Sequence, residues 1–321
     1  MNNSLAVVLI ASGVAYGTPL LFASLGELLA ERSGVLNLGV EGMMLVGAVM
    51  GFWTVERVHA TTAFTLVLAL LIAALAGAVM AAILAFLVVT LRANQIVSGL
   101  ALTIFAGAAG LSSYLGNNLN LADRPARHSF QAFLPNSMQS WPIVGPILFG
   151  QNALVYFSWV CVVVIALYLS RTRLGLNLRA VGESPAAADT MGINVTRYRY
   201  VHVLVGGAFA GLGGATITLA ITPQWVSGIT EGAGWIAIAL VIFAFWRPEL
   251  CLVGAYFFGA LQALAPQLQA RNISLGPTVL WANALPYLMT IAVLVVVSSG
   301  TTRRRLGAPA ALGVAYVREE H

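Results

Sequence analysis

Long apolar runs separated by short polar intervals dominate the chain from Leu5 to Val297. The runs do not alternate apolar and polar at every second residue, so they predict helices rather than barrel strands. A helix needs about 20 apolar residues to cross the hydrocarbon of a bilayer. On that measure the pattern predicts an all-α, polytopic transmembrane helical bundle of about nine spans, eight to ten at the limits. The spans fall at about 4–25, 35–54, 61–90, 94–115, 152–170, 201–221, 233–246, 250–268 and 278–299. The third is long enough to tilt or to project from the bilayer. The seventh is too short to cross straight and predicts a broken or re-entrant segment. Tight connections make 1–321 one expected transmembrane domain.

The polar intervals set the orientation. Residues 116–151 hold Asn, Pro and Trp with few charges. They form an expected external loop whose Trp141 and Phe149 suit the headgroup region. Residues 171–200 hold Arg171, Arg173, Arg179, Arg197 and Arg199, and the tail holds Arg303, Arg304, Arg305 and Arg318. Basic loops stay on the cytoplasmic side, so both segments are expected inside. Counting back through the spans puts 12 Arg inside and four outside (Arg57, Arg124, Arg127 and Arg271), with the N-terminus external. The N-terminal run has no basic residues before it and reads as a first span rather than a cleaved leader.

Composition excludes several classes. Of 321 residues 59% are hydrophobic and only 8% charged, against roughly 25% charged in soluble domains. All 16 basic residues are Arg. A phosphate-binding loop ending in Gly-Lys-Ser/Thr is therefore absent, and any ATP that drives this protein must be hydrolysed elsewhere. His59, His128, His202 and His321 are scattered, Cys161 and Cys251 lie in apolar runs, and no HExxH occurs. Neither an intramembrane protease nor a metal site fits. The Arg residues sit between apolar runs rather than as a stripe on a soluble face, which argues against nucleic acid.

Two features bear on transport. Gly13/Gly17, Gly47/Gly51 and Gly207/Gly211 are GxxxG pairs, which let helix backbones approach closely. Val40-Glu41-Gly42 opens an apolar run in the first half and Thr230-Glu231-Gly232 opens another in the second. Gly-interrupted segments at matching places in two halves mark transport pathways in many carriers. Each glutamate has two readings: a carboxylate on free N–H groups at a helix start, or an ionisable group on the solute path.

The segment Gly175–Arg199 reads GLNLRAVGESPAAADTMGINVTRYR. Ser184 suits an N-cap and Pro185 the first helical position. Ala186, Ala187 and Ala188 favour helix, Asp189 continues it, and Gly192 suits the left-handed residue that ends it. A short capped helix in a basic loop can be a plain ordered loop or a docking element for another protein.

This segment, with Gly182, Glu183, Ala186–Ala188 and Gly192, resembles the coupling loop of ABC-importer permeases. Gly26–Ala48 (GELLAERSGVLNLGVEGMMLVGA) resembles the signature of the family that includes ribose and branched-chain amino-acid permeases. SGVLNLGVEGMM, ANQIVSGLALTIFA (Ala93–Ala106) and PAALGVAY (Pro309–Tyr316) are most similar to its nucleoside-importer branch. The tail departs from that branch in lacking a basic residue near Val314. The resemblance implies a permease in a prokaryotic cell (inner) membrane. Its expected partners are a second permease subunit, two ATPase subunits that use ATP and Mg, and an external solute-binding protein or lipoprotein. The chain itself is expected to bind no cofactor. Nucleosides are the implied solutes, with ribose-type sugars, then branched-chain amino acids, as alternatives; a proton-coupled secondary carrier is the rival class. Asn37, Asn94 and Gln95 lie beside the family motifs and are expected, with Glu41 and Glu231, on the translocation path. Gln262 and Asn283 are expected to make interhelical hydrogen bonds instead.

Overall fold

The structure is a computed structural model that describes residues 5–122, 124–271, 277–298 and 307–317. The described residues form helices with three isolated β-bridges and no strand. In chain order the helices are α1 (Leu5–Arg32), α2 (Val40–Arg57), α3 (Thr62–Ala85), α4 (Gln95–Ala106), α5 (Leu111–Asn118), α6 (Asn136–Gln139) and α7 (Ala153–Arg171), followed by α8 (Arg173–Glu183), α9 (Pro185–Thr190), α10 (Val195–Thr216), α11 (Ala233–Phe243), α12 (Pro248–Ala270) and α13 (Pro277–Ser298). Wider π-turns extend α3 to Thr90 and α10 to Ile221.

Among the described residues six helices are long and apolar enough to cross a membrane: α1, α3, α4 with α5, α7, α10 and α12. The sequence pattern gave about nine. The difference falls on α2, α11 and α13. Helix α2 carries Glu41, Glu56 and Arg57, and α11 has only 11 residues, the short segment the sequence predicted. The fourth expected span breaks at 107–110 between α4 and α5. Loop 171–200 is more helical than expected: α8 fills its first part, and α10 begins at Val195 rather than 201, so Arg197 and Arg199 ride on α10. Polar and charged residues hid these helices from a hydropathy reading. Arg303, Arg304, Arg305 and Arg318 lie outside the described residues.

Helices α1 and α2 form the centre. Every residue of α1 from Gly17 to Glu31 is buried. In lipid, apolar side chains gain little by leaving hydrocarbon for protein, so close van der Waals fit must supply the association. The three GxxxG pairs provide it. A Cβ on Gly259 of α12 would stand 2.3 Å from the Gly13 carbonyl oxygen, and one on Gly17 would stand 2.5 Å from that of Ala255. One on Gly47 would stand 2.4 Å from Gly211 Cα, and one on Gly77 of α3 2.1 Å from the Gly207 oxygen. These pairs therefore mark the crossings of α1 with α12, α2 with α10, and α3 with α10. On the outside of α3, Phe64, Val67, Leu71, Leu75 and Val79 are exposed at helical spacing, a face suited to acyl chains.

The 124–152 connection packs onto the bundle. Trp141 packs edge-on to Phe149 with centroids 5.7 Å apart. Upstream, the Ala126 N–H donates to the Pro223 carbonyl at 2.8 Å and the Phe130 N–H to that of Leu219 at 2.8 Å. The buried Glu56 carboxylate accepts the Arg127 N–H at 3.1 Å and pairs with its guanidinium at 3.6 Å. This strap fixes the segment in which α10 ends.

Candidate functional site: a polar cavity beside a helix start

That segment walls one side of a cavity of about 590 Å³. The other walls are the middle of α1 (Tyr16, Pro19, Leu20), α12 (Gln262, Gln269) and α13 (Asn283, Tyr287). After the π-turn at Ile217–Ile221 the chain does not continue as helix. It folds back through Gly228 (φ +75°), Glu231 (φ +46°) and Gly232 (φ +78°) before α11 starts. Glycine takes the left-handed region freely, but for Glu231 it costs about 1–2 kcal/mol. The Tyr287 hydroxyl donates to the Glu231 carbonyl and holds that conformation. The Glu231 carboxyl lines the cavity, exposed, within electrostatic range of the Tyr16 and Tyr287 phenols.

Glu41 does something different. Its Oε1 accepts the Thr230 hydroxyl at 2.5 Å and the Gly232 N–H at 3.0 Å, and its Oε2 accepts the Gly234 N–H at 2.7 Å. A buried carboxylate in the first turn of α2 thus caps the start of α11, some 190 residues on in the chain. The free N–H groups and the positive end of the helix dipole are matched by one acceptor. The Val40-Glu41-Gly42 and Thr230-Glu231-Gly232 stretches, separate in sequence, meet here. Two near-identical tripeptides do unlike jobs: one glutamate anchors a helix start and the other faces open space.

Asn37, Asn94 and Gln95 do not line this cavity; their side chains hold local backbone. Asn37 Oδ1 accepts the Gly39 N–H at 2.9 Å, Asn94 caps α4 through the Val97 N–H at 3.1 Å, and Gln95 Oε1 accepts the Leu36 N–H at 2.7 Å. The 33–39 turn breaks the helical ladder and takes Asn37 and Gln95 as side-chain acceptors, whereas Asn94 serves a free N–H at the start of α4. Glu27 joins them, accepting the Asn37 N–H at 3.1 Å, while Glu31 accepts the Trp246 indole N–H at 2.5 Å. Conversely Gln262 and Asn283, expected as interhelical glue, line the cavity. Tyr16 and Tyr287 had no signal in the sequence, since a tyrosine within an apolar run reads as packing.

The 171–200 segment forms a compact unit. In α9, Ser184 Oγ accepts the Ala187 N–H at 3.4 Å and Pro185 opens the helix. Gly192 (φ +84°) ends it: its N–H donates to the Asp189 carbonyl at 2.9 Å and the Ile193 N–H to that of Ala188 at 3.0 Å, the paired bonds of a Schellman ending. Ala188 packs with Val181 and Val195, whereas Met191 at the tip is 81% exposed. Gly182 packs so closely on the end of α1 that a Cβ would stand 2.3 Å from the Arg32 oxygen, and its own carbonyl accepts the Ala311 N–H at 2.9 Å. Glu183 and Ala187 face out, and Ala186 and Asp189 are half-buried.

Residues 9–296 match the family described as branched-chain amino acid transport system / permease component. The chain belongs to this family. It is 40% identical to a Haloferax volcanii protein provisionally named a glucose ABC transporter permease, covering 98% of this chain and 99% of the relative. It is 34% identical to the nucleoside ABC transporter permease NupC of Lactococcus lactis, covering 99% of each chain. It is 32% identical to the guanosine ABC transporter permease NupQ of Bacillus subtilis, covering 97% of each. No solved structure matches. As an ABC permease subunit this is a multi-pass protein of a prokaryotic cell membrane and not an enzyme; a separate ATPase subunit hydrolyses ATP. No cluster of metal-ligating side chains occurs among the described residues.

Proposed function

We propose that this permease forms the membrane path of an importer for nucleosides, with the cavity between α1, α12 and α13 as its solute chamber. The observation that carries this reading is the chamber's lining: among the described residues it has two tyrosines, the four amide side chains of Gln224, Gln262, Gln269 and Asn283, one carboxyl group and no basic residue. Aromatic faces and amides suit a planar base and a polyhydroxy ring. A lone carboxyl repels anions, which disfavours phosphorylated solutes. Amino acids are disfavoured as well, despite the family's description. A substrate α-carboxylate needs a cation or a free helix start, and the start of α11 already holds Glu41. The Haloferax relative favours a second reading, a sugar. Uptake of labelled adenosine, guanosine, uridine, glucose, ribose and leucine, by cells with and without this chain, decides. The expected result is loss of nucleoside uptake on deletion, persisting after proton-gradient collapse if ATP is maintained. Loss of glucose or ribose uptake alone would assign a sugar. Dependence on the gradient with ATP present would replace the ATP-driven reading by a proton-coupled carrier.

The reading includes a nine-pass arrangement with the N-terminus and 116–151 outside and 171–200 and the tail inside. It places α9 as the coupling helix on one of two ATPase subunits, which hold the ATP and Mg. A second permease, paralogue or copy, completes the path, and an external binding protein delivers solute. The exposed Met191 beside a firmly capped α9 supports docking, because an apolar tip on a rigid mount fits a groove on a partner. Gly192→Val is the test. A Cβ there meets nothing within 4 Å, so the change acts through the left-handed backbone alone, where a β-branched residue is strained. Solute-stimulated ATP hydrolysis in proteoliposomes should fall about fivefold or more, with the permease still folded. Glu183→Lys should weaken it as well, by reversing charge beside the start of α9. Full stimulation in both variants would rule out α9 as the coupling element.

A further inference from the structure

We infer that the Glu231 carboxylate reads a vicinal diol on the solute, so that one site accounts for relatives named for glucose and for nucleosides. This rests on the chamber being the solute path. Among the described residues no side chain donates to the Glu231 carboxylate: neighbouring Thr230 gives its hydroxyl to Glu41, and Tyr287 gives its own to the Glu231 backbone. These two neighbouring hydroxyls are thus used elsewhere, and the carboxylate lines the chamber with no side-chain donor among the described residues. The left-handed backbone at Glu231, where glycine or asparagine would sit without strain, points to a requirement for this side chain.

The chemistry narrows what it accepts. A carboxylate offers two oxygens side by side and no donor. Two hydroxyls on adjacent carbons present two donors at about the same spacing, so they bind it as a fork of charge-assisted bonds of about 2.5–2.7 Å. Asn283 and Gln262 can both donate and accept, and so complete the pairing of the remaining hydroxyl lone pairs. Tyr16 and Tyr287 add aromatic side chains to the same lining. Ribonucleosides and glucose share this diol. A 2′-deoxynucleoside does not.

The external binding protein also selects, so the discriminating quantity is a ratio of ratios. Uptake of adenosine and of 2′-deoxyadenosine is measured in the full transporter carrying wild-type permease, Glu231→Gln or Glu231→Asn, each at matched membrane level. The binding protein is the same throughout, so any change in preference belongs to the permease. The expected result is a fall of roughly tenfold in the adenosine preference in both variants, as charged acceptors give way to a weaker neutral amide. The change lies in adenosine KM, with 2′-deoxyadenosine transport within about twofold of wild type. If the wild-type chain carries glucose instead, its KM rises by a similar factor. An unchanged preference, or an equal loss of both nucleosides in both variants, overturns the diol assignment and leaves the import path standing. Failure of the wild type to carry any of these solutes overturns both.

Discussion

Replacing Glu41 by Ala should lower the thermal midpoint of the detergent-solubilised permease by roughly 4–7 °C and abolish uptake. Three donors lose their acceptor at once: the Thr230 hydroxyl and the N–H groups of Gly232 and Gly234. Hydrogen bonds to a charged group contribute about 1.5–3 kcal/mol each, and a buried donor left without an acceptor costs about 1–3 kcal/mol. At about 2.1 cal/mol/K of unfolding entropy per residue over 321 residues, a stability loss of about 3–5 kcal/mol shifts the midpoint by about 4–7 °C. The effect on transport follows from position, because the freed segment 230–234 leads directly from the chamber wall into α11. Glu41→Gln should be intermediate: one amide oxygen can still serve Thr230 and Gly232, while its NH₂ confronts the Gly234 N–H, donor to donor. Wild-type thermal behaviour in Glu41→Ala would show that this contact does not hold the start of α11.

An effect as large is expected from Gly214→Leu in α10. A Cβ at this position would stand 1.8 Å from the Met44 carbonyl oxygen and 2.7 Å from its carbon. Both atoms are helix backbone, so no rotamer change relieves the clash. The crossing of α2 and α10 would have to open, which also parts Gly47 from Gly211, where a single added carbon already comes within 2.4 Å. Overpacking a side-chain contact costs about 1–3 kcal/mol; against rigid backbone the loss should exceed that and leave little folded permease in the membrane. Gly254→Ala is the matched control, since its added carbon meets only the flexible Leu240 side chain at 3.3 Å. Membrane-fraction level and size-exclusion profile report the outcome. Equal folded yields from both variants would refute the idea that close backbone approach holds these helices together.

A functional division runs through these contacts. The side-chain oxygens of Asn37, Gln95 and Glu27 hold backbone N–H groups of the 33–39 turn, and Glu41 holds those at the start of α11. Polar groups of the second half, Glu231, Gln262 and Asn283, face the chamber. Rigid polar bonding on one side and free polar side chains on the other suit a path in which a fixed core supports a wall that meets solute.

Sequence alone settled what local physics controls. Apolar run length made a membrane helix bundle the only solution, because a backbone in hydrocarbon must bond to itself. The capped helix from Ser184 to Gly192 was legible residue by residue, since N-caps, Pro at the first position and a left-handed Gly act within one turn. The GxxxG pairs announced close crossings, and the shortness of α11 was visible as a short apolar run. What stayed hidden depends on which strangers in the sequence become neighbours. The pattern of Val40-Glu41-Gly42 and Thr230-Glu231-Gly232 is the same, and nothing local says that one carboxylate closes onto a helix 190 residues away while the other stays open. Asn37 and Asn94 carried the same cost in a membrane as Asn283, and only the fold shows that two meet backbone and the third meets a cavity. Hydropathy prices a polar side chain by the medium it leaves, whereas its role is set by the partner it finds. That partner is fixed by helix packing over distances no local pattern encodes.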